Sequence, residues 1–389
     1  MRPPPPGPLS FLTVLTVACV FASSIASADT LTITRGGTYR GGEHESIAIN
    51  TPDPVIIENM TLRGARHLIT SHYGRANVTV RNVRGFGVNP NVAGKCTGRF
   101  ASLEGFSNVV IENCTLEGTA GIYLLDYAGD RTSANTVKLL RNRAKNIDGR
   151  RSDGKGGYLT GGEGGAELVQ FAQLDKVRGI RDAEIAWNEI INEPGKSRVE
   201  DVISIYLSSG IKDSPIRIHD NFLRGAYPLD PATEPFSGGG IMLSDGVSKD
   251  GPAGDPAFVE AFDNQVLDTV NYGIAISAGH DCAIHHNRII SAGLLGDGRK
   301  IAAQNVGAYI WDSHKAGKDR FHNNVGHDNV IGWKDKLGVR NDWWRPHAAA
   351  WENNQNWPSP IKLDVYEAEW ARWQEKLKAK NVTVGATSS

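Results

Sequence analysis

The feature that most constrains this chain is a short β-branched segment, ending on Asn, that keeps returning. It reads Val55-Ile56-Ile57-Glu58-Asn59, Val78-Thr79-Val80-Arg81-Asn82, Val109-Val110-Ile111-Glu112-Asn113 and Val137-Lys138-Leu139-Leu140-Arg141-Asn142. It continues as Glu184-Ile185-Ala186-Trp187-Asn188, Ile216-Arg217-Ile218-His219-Asp220-Asn221, Val259-Glu260-Ala261-Phe262-Asp263-Asn264 and Ala283-Ile284-His285-His286-Asn287. From Asn59 to Asn287 the intervals are 23, 31, 29, 46, 33, 43 and 23 residues. A short minimum period with irregular insertions means a stacked array of coils.

Each repeat has room for two or three strands of a few residues, and no helix-period run long enough for a crossover helix. One such strand cannot bury its face alone, but stacked coils cover one another and their inward Val, Ile and Leu form one column. The expected fold class is therefore all-β, a single-stranded right-handed parallel β-helix. An Asn at the same bend of every coil can pass hydrogen bonds to the bends above and below, satisfying buried polar groups. Asn59-Met60-Thr61, Asn77-Val78-Thr79 and Asn113-Cys114-Thr115 also spell glycosylation sequons, although strand and ladder already account for these residues.

Residues 1–28, with Arg2, a Pro run, an apolar stretch from Leu9 to Phe21 and Ala26-Ser27-Ala28, read as a secretory signal. The apolar stretch is too short to span a bilayer and no later segment approaches that length. The expectation is an exported protein, extracellular or periplasmic, without a membrane span and monomeric. The net charge of −1, from 42 basic and 43 acidic residues, argues against a general nucleic-acid binder. Beyond the leader, Cys96 and Cys114 leave both a bridge and free thiols open.

Along the chain, residues 29–50 read as an N-terminal cap and first strand, and 51–330 as the coils. Residues 331–381 read as a Trp-rich C-terminal cap, since seven of nine Trp lie beyond position 330. Within it Leu363, Tyr366, Trp370, Trp373 and Leu377 are spaced for one face of an amphipathic capping helix over the open end of the solenoid. Residues 382–389 read as a disordered tail.

Recurrent strands such as Gly273-Ile274-Ala275-Ile276-Ser277, followed by a turn and Ala283-Ile284-His285-His286-Asn287, carry a resemblance. So do Asp201-Val202-Ile203-Ser204-Ile205-Tyr206-Leu207-Ser208-Ser209-Gly210 and Gly240-Ile241-Met242-Leu243-Ser244-Asp245-Gly246. The chain resembles the pectin-lyase-like superfamily, which includes polysaccharide lyases, polygalacturonase-type hydrolases and alginate epimerases. The resemblance implies the fold over about 280 residues and a sugar-handling outer sheet. It transfers no catalytic set. The Asn-X-Asp, Asp-Asp, Gly-His-Gly and Arg-Ile-Lys motifs of polygalacturonase-type enzymes, the Asp-Pro-His of the epimerases and the Arg-X-Pro-X-X-Arg of pectate lyases are not matched.

Equivalent positions on stacked strands lie roughly 4.8 Å apart, close to the repeat of an extended sugar chain. Alternation turns Tyr123, Ser204, Tyr206, Met242, Ser244, Ser277, Tyr309 and Trp311 outward along the first strand of successive coils, with Asp126, Asp245 and Asp312 just past it. Tyr123, Tyr206, Tyr309 and Trp311 are candidate sugar platforms. Asp126, Asp245 and Asp312 are candidate catalytic carboxylates, Asp245 and Asp312 two coils or about 9 to 10 Å apart. The competing reading is that a turn acid caps its own backbone. A second acidic group, Glu167 one coil over Glu200 and Asp201, can raise one pKa for acid work or hold a Ca²⁺, or else form a salt-bridged edge with neighbouring Arg. Basic residues from Arg141 to Lys155 lead into a Gly-rich loop, where Arg151 and Lys155 are candidates for an anionic sugar. His280, His285 and His286 stand near one coil end with His314 on the next, in no zinc-like spacing; no metal site and no obligatory cofactor are expected.

These residues lead to the expectation of a carbohydrate-active enzyme on polysaccharide, hydrolysis by an acid pair being preferred over β-elimination. The alternative is a non-catalytic solenoid that binds glycan or a surface through the same rows.

Overall fold

The computed structural model describes residues 29–71, 74–160, 163–235, 238–358 and 360–387; the expected leader lies outside them. The strands form three parallel sheets of eleven strands each, visited in strict rotation, so that every coil gives one strand to each sheet. This is the right-handed parallel β-helix that the repeat implies. The first coil is Thr30–Ile33, Gly37–Arg40 and Glu43–His44; the last is Trp343–Trp344, Ala350–Glu352 and Gln355–Asn356. The coils therefore run beyond the expected 51–330 in both directions. They absorb the supposed N-terminal cap and most of the Trp-rich segment, whose aromatic side chains hid its short strands.

Alternation explains the interior. In the second sheet Val78, Val109 and Val137 face one another in register, as do Val80, Ile111 and Leu139, and all six are fully buried. Each such side chain contributes about 1.5–3 kcal/mol of burial free energy, and the next coil completes its cover.

The Asn ladder exists, but one residue away from where the first three repeats suggest. Asn59, Asn82 and Asn113 occupy the left-handed bend itself (φ 54°, 53° and 50°) and are not interior; the buried position after them holds Met60, Val83 and Cys114. From Asn142 onward the buried position is Asn. Asn142 donates its amide to Asn188 Oδ1 (3.0 Å), Asn188 to Asn221 (2.9 Å), Asn221 to Asn264 (2.9 Å) and Asn264 to Asn287 (3.0 Å). Asn287, Asn329 and Asn354 carry it on. The other amide hydrogen goes to a carbonyl one coil back, as from Asn221 to Ile185 O at 2.8 Å. Asn suits both roles, since its short amide tolerates the left-handed region and also bridges coils. Aligning on the letter alone slips the early coils by one.

Helix α1 (Val365–Lys380) forms where the apolar spacing places it. Its seat is the outer face of the third sheet. Trp373 donates its indole N–H to Glu189 (3.0 Å) and stacks near Phe222, whereas Glu369 takes Gln265 (2.7 Å) and Arg288 (2.9 Å). These partners sit on four successive strands, so the helix buttresses the flank instead of closing the end. It is drawn there because that sheet presents Phe222, Leu267 and Ile290 outward, an apolar patch that water would otherwise meet.

The segment expected to be a disordered tail is fastened through residue 387. Asn113 donates to Thr383 O (2.7 Å), Gly385 N to Arg141 O (2.8 Å) and Thr387 N to Asn82 Oδ1 (2.7 Å), with Val384 buried. Cys96, Cys114 and Cys282 are free thiols, and burial pushes each up to about 12. Among the described residues no helix is long and apolar enough to cross a membrane.

Candidate functional site

The strand Ile203–Tyr206 and its neighbour Ile241–Asp245 pair in register at Ile203↔Ile241 and Ser204↔Met242, then slip, so that Tyr206 faces Asp245. The extra residue is a bulge. Leu243 and Ser244 are both fully buried, Ser244 donating its hydroxyl to Ala278 O at 2.5 Å, and the expected outward Ser244 is thereby turned in. Bulges re-aim side chains next to sites, and here the side chain re-aimed to the outer face is Asp245. His314 Nε2 lies 2.7 Å from Asp245 Oδ1.

One coil back, Glu200 and Asp201 lead into Ile203–Tyr206. Asp201 is 8 % exposed; its Oδ1 accepts from Gly239 N at 3.0 Å and from the Tyr272 hydroxyl. Burial, then the adjacent Glu200 and Asp245 charges, push its carboxyl up to about 7 against those hydrogen bonds. Burial also raises Glu200, with Asp245 adding to it and the Arg198 guanidinium opposing. Gln170 holds Glu200 Oε2 at 3.1 Å. Burial keeps the Tyr272 and Tyr309 hydroxyls protonated far above the usual phenol range, and the two rings meet edge to face at 5.3 Å.

The aromatic row continues away from the acids. Tyr309 pairs with Trp344 across the last two strands of this sheet, and Trp311 stands beside it with ring centres 6.4 Å apart. Trp311 and Trp344 are 44 % and 56 % exposed, unusual for Trp with no function at the surface. Together with Asn271, Asn305 and Asn341 they line one cleft. Apolar rings rimmed by amides are what a sugar's C–H face and hydroxyls require. Tyr123 lies on the far side of the acids, donating to Asp175 Oδ2 (2.7 Å) with the Arg99 guanidinium 5.3 Å from its ring centre.

Several expected residues are placed elsewhere. Asp312 does not partner Asp245: it is 8 % exposed, and its two oxygens accept from Ala316 N and Gly317 N, both at 2.9 Å, the backbone-capping role of a turn acid. Asp126 is exposed at a left-handed bend (φ 54°), three strands from Asp245 in the sheet. Glu167 is half exposed and pairs with Arg151 at 3.8 Å; Gln170 takes the place over Glu200, so the stacked acid set on which a Ca²⁺ site depended loses Glu167. The basic run is largely paired: Arg141 with Glu112, Arg143 with Glu189, Lys145 with Glu193 and Arg150 with Asp148. Lys155 stands exposed on its loop.

Of the candidates, the fold brings Glu200, Asp201 and Asp245 together, with Tyr206, Tyr309 and Trp311 on the same face. The sequence reading missed Gln170, Tyr272 and His314 as their partners. Tyr272 opens a recurrent strand and carried a usable signal; His314 carried none, because it joins the acids only through stacking. His314 also departs from the other histidines with which it was grouped. Chemically, the arrangement sets a carboxyl that favours its proton beside a carboxylate anchored by an imidazole, the separation of environments that acid–base work needs. Comparison with family models, curated proteins and solved structures gave no match, so the functional reading rests on this geometry.

Proposed function

We propose that the chain is an exported carbohydrate-active enzyme of the pectin-lyase-like kind, which cleaves or otherwise modifies a polysaccharide in the groove across the first sheet. The observation that carries this is the convergence of Glu200, Asp201 and Asp245 beside a half-buried Tyr309 and the exposed Trp311 and Trp344. Hydrolysis is preferred over β-elimination. Glu200, half-buried and raised in pKa, serves as general acid toward the leaving oxygen, and Asp245, oriented by His314, serves as base or nucleophile. Asp201, tied to Tyr272, supports Glu200 by keeping a proton in the pair. Trp311, Trp344 and Tyr309 hold the sugar rings of the chain as it leaves the acids. Of the basic residues that an elimination would call on, Arg141, Arg143, Lys145, Arg150 and Arg151 are engaged with Glu112, Glu189, Glu193, Asp148 and Glu167, and Lys155 stands exposed on its loop.

Incubating the protein with a panel of neutral and acidic polysaccharides, while following both reducing ends and the absorbance of unsaturated uronates, tests this. New reducing ends without that absorbance, lost in Glu200→Gln and in Asp245→Asn, support hydrolysis. Absorbance moves the assignment to elimination. Retention on a glycan column with no turnover reduces the protein to a binder, and turnover undiminished in both variants removes the acid pair.

A further inference from the structure

The second sheet carries a row of rings on its outer face. His219, Phe262, His285 and His327 stack in succession with centres 4.7, 5.0 and 4.8 Å apart and planes within 9° of parallel. Each is followed by a residue in the left-handed bend: Asp220, Asp263, His286 and Asp328. Where the pair is His-Asp, the ring nitrogen meets its neighbour's carboxylate, Nδ1 to Oδ2 at 2.7 Å for His219-Asp220 and 2.8 Å for His327-Asp328. In the coil of His285 the acid is replaced by a second imidazole, and the two Nδ1 atoms lie 2.9 Å apart. The His286 ring stands perpendicular to both His285 and His327, at 87° and 89°. One nitrogen from each of the three rings lies within 4.8 Å of the others.

We propose that His285, His286 and His327 form a binding site for a borderline divalent metal ion such as Zn²⁺, on a different sheet from the carboxylate groove. Three imidazoles without a carboxylate or thiolate in the first set match Zn²⁺ and its first-row neighbours and not Ca²⁺ or Mg²⁺, which take oxygen. Nitrogens on a tetrahedral ion with bonds of about 2.0–2.1 Å stand roughly 3.3 Å from one another, so binding tilts the His285 and His327 rings out of their parallel stack to aim both lone pairs at the ion. The bond between the two Nδ1 atoms needs one N–H and one lone pair. On binding, each neutral ring offers a lone pair, and the ring that held the Nδ1 proton carries it on its Nε2 instead. Asp328 fixes His327 from behind, as outer carboxylates do for metal-bound imidazole. His286 is exposed and the other two are half-buried, so the fourth position is open to water. The neighbouring trio His280, Asp281 and His322 is already committed: Asp281 takes His280 Nδ1 at 2.6 Å on one oxygen and the Asn323 amide at 3.1 Å on the other.

The test is titration of the tag-free full chain with Co²⁺, read by its visible absorption, followed by displacement with Zn²⁺ and with Ca²⁺. One equivalent of Co²⁺ with tetrahedral-type bands, displaced by Zn²⁺ and not by Ca²⁺, is expected. His286→Gln and His327→Gln each weaken uptake by more than the roughly 10–100-fold that loss of an outer partner of a ligand costs, while His322→Gln leaves it unchanged. Because His286 is exposed, its variant keeps the fold, which far-UV circular dichroism verifies. No uptake by the wild type, uptake undiminished in His286→Gln, or loss on His322→Gln instead overturns the proposal.

Discussion

His314 approaches Asp245 to 2.7 Å although 69 residues separate them in the chain. The contact joins a bulge in one strand to a loop two coils on. If Asp245 works as base or nucleophile, His314 is its positioning residue, and the two act as a unit. On whichever polysaccharide is turned over, Asp245→Asn and His314→Gln should each lower kcat/KM by about 10²-fold or more, with the double variant little worse than Asp245→Asn alone. Additive losses in steady-state kinetics would separate their roles.

Asp201 gives a pH-dependence with a definite sign. Its carboxyl is raised to about 7 in the folded chain, whereas an unfolded Asp titrates near about 3.9. Between these values the folded state binds more protons, so this residue's stabilising contribution is complete below the unfolded value and is lost as pH rises through about 7. Thermal melts of wild type and Asp201→Asn should show a difference in Tm that moves against the wild type between pH 4 and 8. A constant difference would mean that Asp201 titrates as a free acid.

The one-residue offset in the Asn rows has an energetic counterpart. Asn221→Ala removes a rung that serves Asn188, Asn264 and Ile185, leaving buried donors and an acceptor unmet, and should cost about 2–4 kcal/mol in urea denaturation. Asn82→Gly, at a left-handed bend that Gly adopts freely, should change stability by less than about 1 kcal/mol. Equal costs would contradict the assignment of the two rows.

Glu369 is 1 % exposed and faces Arg288 and Gln265 across the helix–sheet contact. Glu369→Ala strands the guanidinium and should cost about 3 kcal/mol, whereas a purely terminal cap would tolerate it. Chemical denaturation followed by tryptophan fluorescence reads this directly, since Trp370 and Trp373 lie on the same helix face.

Trp311 and Trp344 are exposed and bury little, so replacing either by Ala should leave Tm within about 1 °C of wild type. Affinity electrophoresis in a gel containing the substrate glycan should nevertheless show at least about tenfold weaker retardation, the loss expected of one stacking platform. Unchanged mobility of both variants would remove the aromatic row from the groove.

The repeat alone makes the architecture legible. Val, Ile and Leu at alternate positions of many short strands leave few ways to hide apolar surface, and coiling is the one that fits irregular intervals. The spacing of Leu363, Tyr366, Trp370, Trp373 and Leu377 likewise determined a helix, because a 3.6-residue period is a local property. What the sequence could not state was register. A bulge at Leu243-Ser244, a three-residue displacement that put Gln170 and not Glu167 over Glu200, and the capping of Ala316 and Gly317 by Asp312 each depend on how one coil settles on another. Local pattern determines which face a residue takes; only stacking decides its neighbours, since the insertions between strands change length without changing periodicity. That is why the acids, Tyr272 and His314, or the three imidazoles of the second sheet, come together only in the folded solenoid.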